Sequence, residues 1–216
     1  DVAAQHYQLG YHSDALEIIR LAEGDERVAP GVRMVLHGVK ARAYAAVGEV
    51  AACRQHVGLA ETAYDLARTG ERAAPGWVDR LAQPAQLAAI TGHALATVAH
   101  RTGDPADLDD AVGRLAAATD AFDPVSHARP RSLCQARLAG LHLAAGDLDQ
   151  AVQRTREALD AVAGIRSARI IHAITQLRST IADHPDQTEL QNLVDEIDAG
   201  IGAPDEGPGP GEEAEE

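Results

Sequence analysis

The sequence predicts an all-α protein, a right-handed superhelix of about five stacked αα-hairpins, and three observations lead to this prediction. Aromatic residues make up only 3% of the 216 residues, so alanine and aliphatic side chains must supply the core. No segment alternates β-branched and polar residues as a half-buried strand does, and no Asn-Gly or Asp-Gly pair marks a β-hairpin turn. The third observation is a recurring pattern of glycine and small residues at helical spacing.

Four stretches of the chain share a glycine followed by two small residues. In each stretch the two small residues are seven positions apart, which is two helical turns and places them on one helix face. The four sets are Gly10, Ala15 and Ala22; Gly48, Cys53 and Ala60; Gly103, Ala111 and Ala118; and Gly146, Ala151 and Ala158. A further alanine precedes each glycine by seven residues, at Ala3, Ala41, Ala96 and Ala139. Each unit is therefore predicted to be two closely packed helices joined at a glycine turn.

The apolar periodicity and the turn residues place the helices along the chain. We predict paired helices near residues 1–9 and 12–23, 31–47 and 50–69, 77–101 and 106–121, 130–145 and 148–162, and 167–182 and 187–199. Asp104 followed by Pro105 is typical of a capped helix start, and Pro130 can open another helix. The segments 70–76 and 184–186 are predicted breaks between helices.

The repeat domain is predicted to occupy residues 1–200, and residues 201–216 are predicted to form a disordered acidic tail. Six of the 33 acidic residues lie in the last twelve positions, and no large apolar side chain follows Ile201. Such a composition cannot bury enough apolar surface to offset the entropy of ordering the chain. Helical periodicity begins with the first residues, and Asp1 is not an initiator methionine, so we expect the sequence to be part of a longer protein.

The charge and the cysteines restrict the class of protein. The formal net charge is −14, and an acidic surface repels phosphate backbones, so this fragment by itself is not expected to bind DNA. Cys53 and Cys134 both lie within apolar helical patterns, which is typical of a cytoplasmic protein. No segment approaches the ~20 consecutive apolar residues of a membrane span, so no membrane association is expected.

The glycine and alanine pattern resembles the tetratricopeptide repeat, in which a small residue of helix A, a turn glycine and two small residues of helix B recur. The resemblance covers roughly residues 1–165, and a fifth, degenerate hairpin follows. The turn glycines are 38, 55 and 43 residues apart, so helices or loops are longer than in the regular repeat. The resemblance implies a stack of hairpins with a concave groove lined by the A helices.

A second resemblance narrows the family. Three motifs follow one another along the chain: Arg131-Ser132 at the start of a helix A, the turn from Gly146 to Ala151, and the late helix with Ser167 to Arg169. This series resembles the C-terminal region of actinobacterial transcriptional regulators that carry an N-terminal XRE-type helix-turn-helix, and it spans roughly residues 77–182. The resemblance implies a regulatory module whose DNA-binding part lies in a missing N-terminal domain. Such regulators commonly form homodimers, which makes a homodimer possible here.

The resemblance also implies which residues face the groove. In such repeats, helix-A positions at fixed offsets from the small contact residue line the concave surface. The residues with binding chemistry at those positions are Tyr7, Arg42, His93, Thr97, His100, Arg101 and Arg137. Arg42, Arg101 and Arg137 could together pair with carboxylates of a peptide or an acidic partner. The alternative is that these arginines pair with acidic residues of adjacent helices.

Catalytic and metal-binding patterns are nearly lacking in the sequence. No phosphate-binding loop, nucleophile elbow, zinc-protease motif or paired C-x-x-C occurs, and we predict no cofactor. His93 and His100 share a helix face and could bind a metal with a third ligand, although a polar exposed face is the simpler interpretation. Cys134 has no histidine beside it in the sequence, and we interpret it as a buried inert thiol.

These observations predict a non-catalytic binding or sensor domain of a transcriptional regulator. Its groove would take a peptide, a protein or a small effector. The alternative is a stand-alone protein-interaction scaffold with no role in transcription. An enzyme is the third and least favoured interpretation, because no catalytic constellation is visible in the sequence.

Overall fold

The structure, a computed structural model, describes residues 2–23, 28–69, 82–162, 167–182 and 187–201, and over these ranges the protein is all-helical with no strand. Ten helices lie within them. They are α1 Val2–Gln8, α2 His12–Glu23, α3 Pro30–Val47, α4 Val50–Thr69, α5 Pro84–Thr102, α6 Pro105–Ala121, α7 Ala128–Ala144, α8 Leu148–Val162, α9 Ala168–Ala182 and α10 Thr188–Ile201. The predicted breaks at 70–76 and 184–186, and residues 202–216 of the predicted tail, lie outside the described residues.

The helices pack as five consecutive pairs, which confirms the predicted hairpins, including the fifth. Each odd-numbered helix contacts the even-numbered helix that follows it. From α3 onward, each odd-numbered helix also contacts both helices of the preceding pair. This arrangement brings the five odd-numbered helices side by side, so the side chains of α1, α3, α5, α7 and α9 can contribute to one surface.

The four predicted turn glycines adopt the left-handed backbone conformation. Their φ angles are 85° at Gly10, 89° at Gly48, 64° at Gly103 and 77° at Gly146, and no other described residue has a positive φ. Glycine is required because a Cβ atom disfavours this conformation. At the end of α3, Gly48 N–H donates to the Ala45 carbonyl and Glu49 N–H donates to the Tyr44 carbonyl. These are the two hydrogen bonds of a Schellman motif. The turn at Gly103 has instead a single bond, to the Ala99 carbonyl at 2.9 Å.

The predicted small contact residues are buried in the structure wherever their side chains are described. Ten of the twelve have side chains that the structure describes, and all ten are at most 2% exposed. They are Ala15, Ala41, Cys53, Ala60, Ala96, Ala111, Ala118, Ala139, Ala151 and Ala158. Nothing is described of the side chains of Ala3 and Ala22. Because these side chains are small, two packed helices can bring their backbones close together with only a thin layer of apolar atoms between them.

Two helices begin at residues other than the predicted ones, and each has a proline in its first turn. The predicted helix over 77–101 begins at Pro84, with Gln83 extended before it (φ −100°, ψ 147°), because the residue before a proline disfavours the helical conformation. Residues 77–81 are outside the described ranges. Helix α7 begins at Ala128 and includes Pro130 in its first turn, where no N–H is needed. Asp104 caps α6 as predicted and accepts a hydrogen bond from Ala106 N–H at 2.9 Å.

Helix α7 separates the two largest groups of buried apolar residues. Its Cys134, Leu138 and Leu141 belong to a core with side chains of α3 to α6. On its other side, Ala136, Ala139 and Leu143 belong to a core with α8, α9 and α10. The longest helices thus bury their apolar side chains against neighbours, and within the described residues no helix has the length and apolarity to cross a membrane.

Candidate ligand-binding site

A cavity of about 330 Å³ lies on the surface shared by the five odd-numbered helices. Each of these helices contributes to its wall, and the turn after α1 and the start of α2 complete it. The lining residues are Tyr7, Gly10, His12, Arg42, His93, Leu133, Arg137, Arg169, His172, Ala173 and Gln176. We call it the arginine cavity, because Arg42, Arg137 and Arg169 come to it from three different helices.

The arginine cavity is cationic in an otherwise acidic protein. The chain has a formal net charge of −14, yet among the described residues no aspartate or glutamate lines the cavity. Within the part of the chain that the structure describes, Arg42, Arg137 and Arg169 form no ion pair with a carboxylate. The positive charge of the cavity is therefore not neutralised by the described residues around it.

Arginines on other faces of the protein do form ion pairs between helices. Arg54 of α4 contacts Asp107 of α6 at 2.7 Å, and Arg114 of α6 contacts Glu61 of α4 at 2.6 Å. Two bidentate pairs, Arg156 with Glu196 and Arg178 with Asp198, hold α10 against α8 and α9. The sequence left open the alternative that arginines pair with acidic residues of adjacent helices. These four arginines do so, whereas among the described residues Arg42 and Arg137 do not.

Arg42 is held by an aromatic side chain. Its guanidinium carbon lies 4.3 Å from the centroid of the Tyr7 ring, a cation–π geometry. Tyr7 also contacts the ring of His12, with centroids 5.0 Å apart. The Nε atom of Arg42 and the Nδ1 atom of His12 are shielded from solvent and have no hydrogen-bond partner among the described residues. Tyr7 therefore orients a guanidinium whose donors are unused.

Burial and neighbouring charges lower the pKa of both Arg137 and His93. Burial lowers the pKa of Arg137, the nearby Tyr7 opposes this, and the charge of Arg42 lowers it further. Burial also lowers the pKa of His93 well below its ordinary value, and the positive charges of Arg137 and Arg42 add to that effect. His93 is consequently a neutral imidazole near pH 7, and the positive charge of this wall resides on the arginines.

His93 lies beside Cys134, a contact that the sequence did not reveal. Their Nε2 and Sγ atoms are 3.7 Å apart, although 41 residues separate the two along the chain, because α5 packs against α7. The sequence places no histidine beside Cys134, and the packing of α5 against α7 supplies one. Burial raises the pKa of the Cys134 thiol to about 12, so the thiol stays protonated at neutral pH. A neutral thiol beside a neutral imidazole is not an activated nucleophile.

A second cavity of about 460 Å³ adjoins the first and shares Arg137, Ala173 and Gln176 with it. Its remaining walls are His100, Ala136, Gly140, Leu177, Ser179 and Thr180, none of which carries a negative charge. Partial desolvation of a side chain that is still accessible to solvent, together with the nearby Arg137, lowers the pKa of His100. We call this region the adjoining cavity. Among the described residues, no group of three His, Cys, Asp or Glu side chains is arranged to hold a metal ion.

The structure thus brings together five of the seven predicted site residues. Tyr7, Arg42, His93 and Arg137 line the arginine cavity, and His100 lines the adjoining one. Thr97 lines neither of these cavities, and its hydroxyl donates to the His93 carbonyl within α5.

Arg101, the third arginine predicted to face the groove, lines neither cavity. It lies in the last turn of α5, donates to the Ala46 carbonyl at 3.0 Å and packs against Gly48. The carbonyls at the end of α3 carry partial negative charge and attract this guanidinium away from the cavities.

Helix α9 contributes residues that the sequence analysis missed. Arg169, His172 and Gln176 line the arginine cavity, and their spacing of three and seven places them on one face of the helix. The opposite face buries Ile170, Ile174, Leu177 and Ile181. This amphipathic division was visible in the sequence, but the fifth hairpin has no glycine and alanine pattern from which to set its register.

No family model, curated protein or solved structure matches this chain. Its class is therefore defined by the fold and the site described above, an α-helical protein of packed hairpins with a cationic cavity. The resemblance to the C-terminal region of XRE-type regulators stays a prediction.

Proposed function

We propose that this chain is a non-catalytic binding domain that forms a right-handed, tetratricopeptide-like superhelix and takes its ligand on the concave face. The observation that carries the proposal is the arginine cavity, because all five odd-numbered helices line it and its arginines have no described carboxylate partner. The packing of each odd-numbered helix against both members of the preceding pair supports a tetratricopeptide-like stack. The ligand would be a peptide, a protein or a small effector.

We further propose that this binding domain is the sensor of a transcriptional regulator. The support is the order of the Arg131-Ser132, Gly146 to Ala151 and Ser167 to Arg169 motifs in the sequence. A ligand in the arginine cavity would touch the first and the last hairpin at once. It would shift the equilibrium between two arrangements of the stack by its difference in affinity for them, which a regulator could transmit to a DNA-binding segment.

A stand-alone interaction scaffold is the second candidate, and a different surface favours it. The first hairpin exposes large apolar side chains, with Leu9 71% and Leu21 81% accessible and Val2 and Tyr11 more than half accessible. Large apolar side chains that are exposed to solvent in number are typical of protein–protein contact sites. Under this alternative the outer face of the first hairpin, rather than the cavity, would be the binding surface.

Filling the cavity tests the first candidate. Ala173 lies in the wall of both cavities, and Ala173→Trp would occupy the space that a ligand needs. We expect native mass spectrometry of the full chain, incubated with a cell extract, to show a bound species that Ala173→Trp loses. Ala182→Trp, at the exposed end of the same helix, is the matched control and should keep the species. A species that Ala173→Trp retains would contradict binding in the cavity.

A further inference from the structure

We propose that the ligand is a small organic anion. Its carboxylate or phosphate group would lie among Arg42, Arg137 and Arg169, and its neutral part would extend along α9 into the adjoining cavity. This inference rests on the proposed function, since it takes the same cavity as the binding site and specifies what binds there.

The charge of the site selects an anion. Arg42, Arg137 and Arg169, from α3, α7 and α9, line one cavity to which no described residue contributes a carboxylate, although the chain has more acidic than basic residues. Like charges held together away from bulk water are unfavourable, as the lowered pKa of Arg137 indicates. An oxyanion would relieve this repulsion and accept hydrogen bonds from planar donor groups that match carboxylate and phosphate geometry.

The donors of the site are oriented and unused before any ligand binds. The Arg42 guanidinium lies over Tyr7, and its solvent-shielded Nε has no hydrogen-bond acceptor among the described residues. His12 Nδ1, whose ring also contacts Tyr7, is likewise shielded and has no hydrogen-bond partner among the described residues. Shielded polar atoms without partners are uncommon in folded proteins, and a bound ligand that supplies acceptors is one way to satisfy them. Their position in the cavity wall places that ligand in the arginine cavity.

The size and polarity of the two cavities indicate an organic ion of small size. The arginine cavity, at about 330 Å³, is near the lower end of the range for small-molecule sites, which is roughly 300–1,000 Å³. The adjoining cavity shares Arg137 with it and is lined on α9 by Leu177, Ser179 and Thr180. A ligand with a charged end and a neutral, partly polar remainder would match both. An inorganic ion would leave the adjoining cavity unused.

Isothermal titration calorimetry at constant ionic strength tests the inference on the full chain. Succinate supplies carboxylates, glycerol 3-phosphate supplies a phosphate ester, inorganic phosphate supplies charge alone, and glycerol is the neutral control. We expect succinate or glycerol 3-phosphate to bind more tightly than inorganic phosphate, and glycerol not to bind. The tighter of the two organic anions identifies the carboxylate or the phosphate as the preferred group.

The variants separate the cavity from general charge effects. Arg169→Gln, at an exposed position, should weaken anion binding by roughly 10- to 100-fold, as expected for one charge-assisted contact. Arg137→Gln should do the same, and Arg137→Lys should restore part of the affinity. Arg129→Gln removes the same charge from an exposed position of the same helix as Arg137 and should change affinity by less than about twofold. Because Arg169 is exposed, its variant stays informative even if Arg137→Gln unfolds the protein.

The failure of this inference can be told apart from the failure of the proposed function. The proposal of an anionic ligand would be overturned by either of two results. One is that no anion binds, and the other is that Arg169→Gln and Arg129→Gln reduce the anion affinity equally. Inorganic phosphate bound as tightly as the organic anions would overturn the role of the adjoining cavity. If the species from cell extract is lost in Ala173→Trp but kept in Arg169→Gln and Arg137→Gln, binding in the cavity stands and its ligand is not an anion.

Discussion

Arg42 lies over the ring of Tyr7, with 4.3 Å between its guanidinium carbon and the ring centroid, and this contact joins the first hairpin to the second. Helix α1 has only seven residues, too few for a stable helix without tertiary contacts. The contact therefore performs two tasks. It attaches the short first helix to the stack, and it fixes the guanidinium in the wall of the arginine cavity.

Substitution of Tyr7 should loosen the first hairpin without unfolding the stack. Tyr7→Ala removes the ring under Arg42, and we expect faster amide hydrogen exchange in α1 and α2, corresponding to a loss of about 0.5–2 kcal/mol of local stability. Tyr7→Phe keeps the aromatic face and should resemble the wild type. Exchange that is equally fast in both variants would show that the phenol hydroxyl, not the cation–π contact, holds the hairpin.

Two neighbouring alanines of α6 provide a matched test of the small contact residues. Ala118 is fully buried and Ala117 is exposed. Ala118→Leu should lower the free energy of unfolding by roughly 1–3 kcal/mol, because the added side chain must force the helices apart. Ala117→Leu should change it by less than about 0.5 kcal/mol. Denaturant midpoints measure both, and equal shifts would contradict the assignment of the contact positions.

The corresponding positions of the fourth hairpin should behave like Ala118. Ala151 is 2% exposed and Ala158 is fully buried in α8. Ala151→Leu and Ala158→Leu are each expected to cost roughly 1–3 kcal/mol in the same denaturation experiment. A tolerant response at either position would mean that the fourth hairpin does not pack through its small residues as the third does.

Arg137 and Arg101 should respond oppositely to the same substitution when no ligand is present. Arg137 is partly buried without a described ion-pair partner, so Arg137→Met should raise the free energy of unfolding by about 1 kcal/mol. Arg101 donates to the Ala46 carbonyl, so Arg101→Met should lower it by about 0.5–1 kcal/mol. Thermal unfolding of the two variants measures the difference. If Arg137→Met melts clearly below the wild type, Arg137 is a structural residue rather than a binding one.

The pairing of Asp107 with Arg54 predicts a pH dependence. Burial raises the pKa of Asp107, but hydrogen bonds from Arg54 and Thr102 and the Arg54 charge outweigh this, so the pKa lies below the ordinary 3.8. A carboxyl group with a lowered folded-state pKa contributes stability above about pH 4, and this contribution is lost as the pH falls through the folded-state pKa. Because Arg54 is half exposed, we expect Asp107→Asn to cost only about 1 kcal/mol at pH 7.

Acid titration of unfolding checks this prediction. Below pH 4 the stability of the wild type should fall more steeply than that of Asp107→Asn. Asp109→Asn, an exposed position on the same helix, should follow the wild-type curve. If the stability of Asp107→Asn falls with pH as steeply as that of the wild type, the acid sensitivity arises from other carboxyl groups. Candidates are Glu196 and Asp198, whose pKa values are also lowered.

We expect this chain to show no sequence-specific affinity for duplex DNA at physiological salt. Its unpaired arginines line a cavity, whereas its formal net charge of −14 opposes approach to a phosphate backbone. An electrophoretic mobility shift in the presence of competitor DNA measures this. A shift that persists would show that this chain itself recognises DNA.

Much of the fold followed from local sequence patterns. A positive φ is a property of one residue, so Gly10, Gly48, Gly103 and Gly146 could be predicted as turns without knowledge of their surroundings. The seven-residue spacing of alanines likewise places them on one face of a helix whatever packs there. Helix starts at Ala128 and Pro84 were less predictable, because they depend on how a proline is accommodated within the first turn.

The candidate site depended on distances between hairpins, which no local pattern contains. The tetratricopeptide resemblance implied that Arg42, Arg101 and Arg137 face one groove, and only the packing of α5 against α3 shows that Arg101 donates to the Ala46 carbonyl. The same holds for Arg169, which reaches the cavity because α9 packs against α7. The sequence by itself determined which faces of the helices are apolar and where the chain turns. The tertiary structure decided which arginines meet in one cavity, because that depends on the approach of helices far apart in the chain.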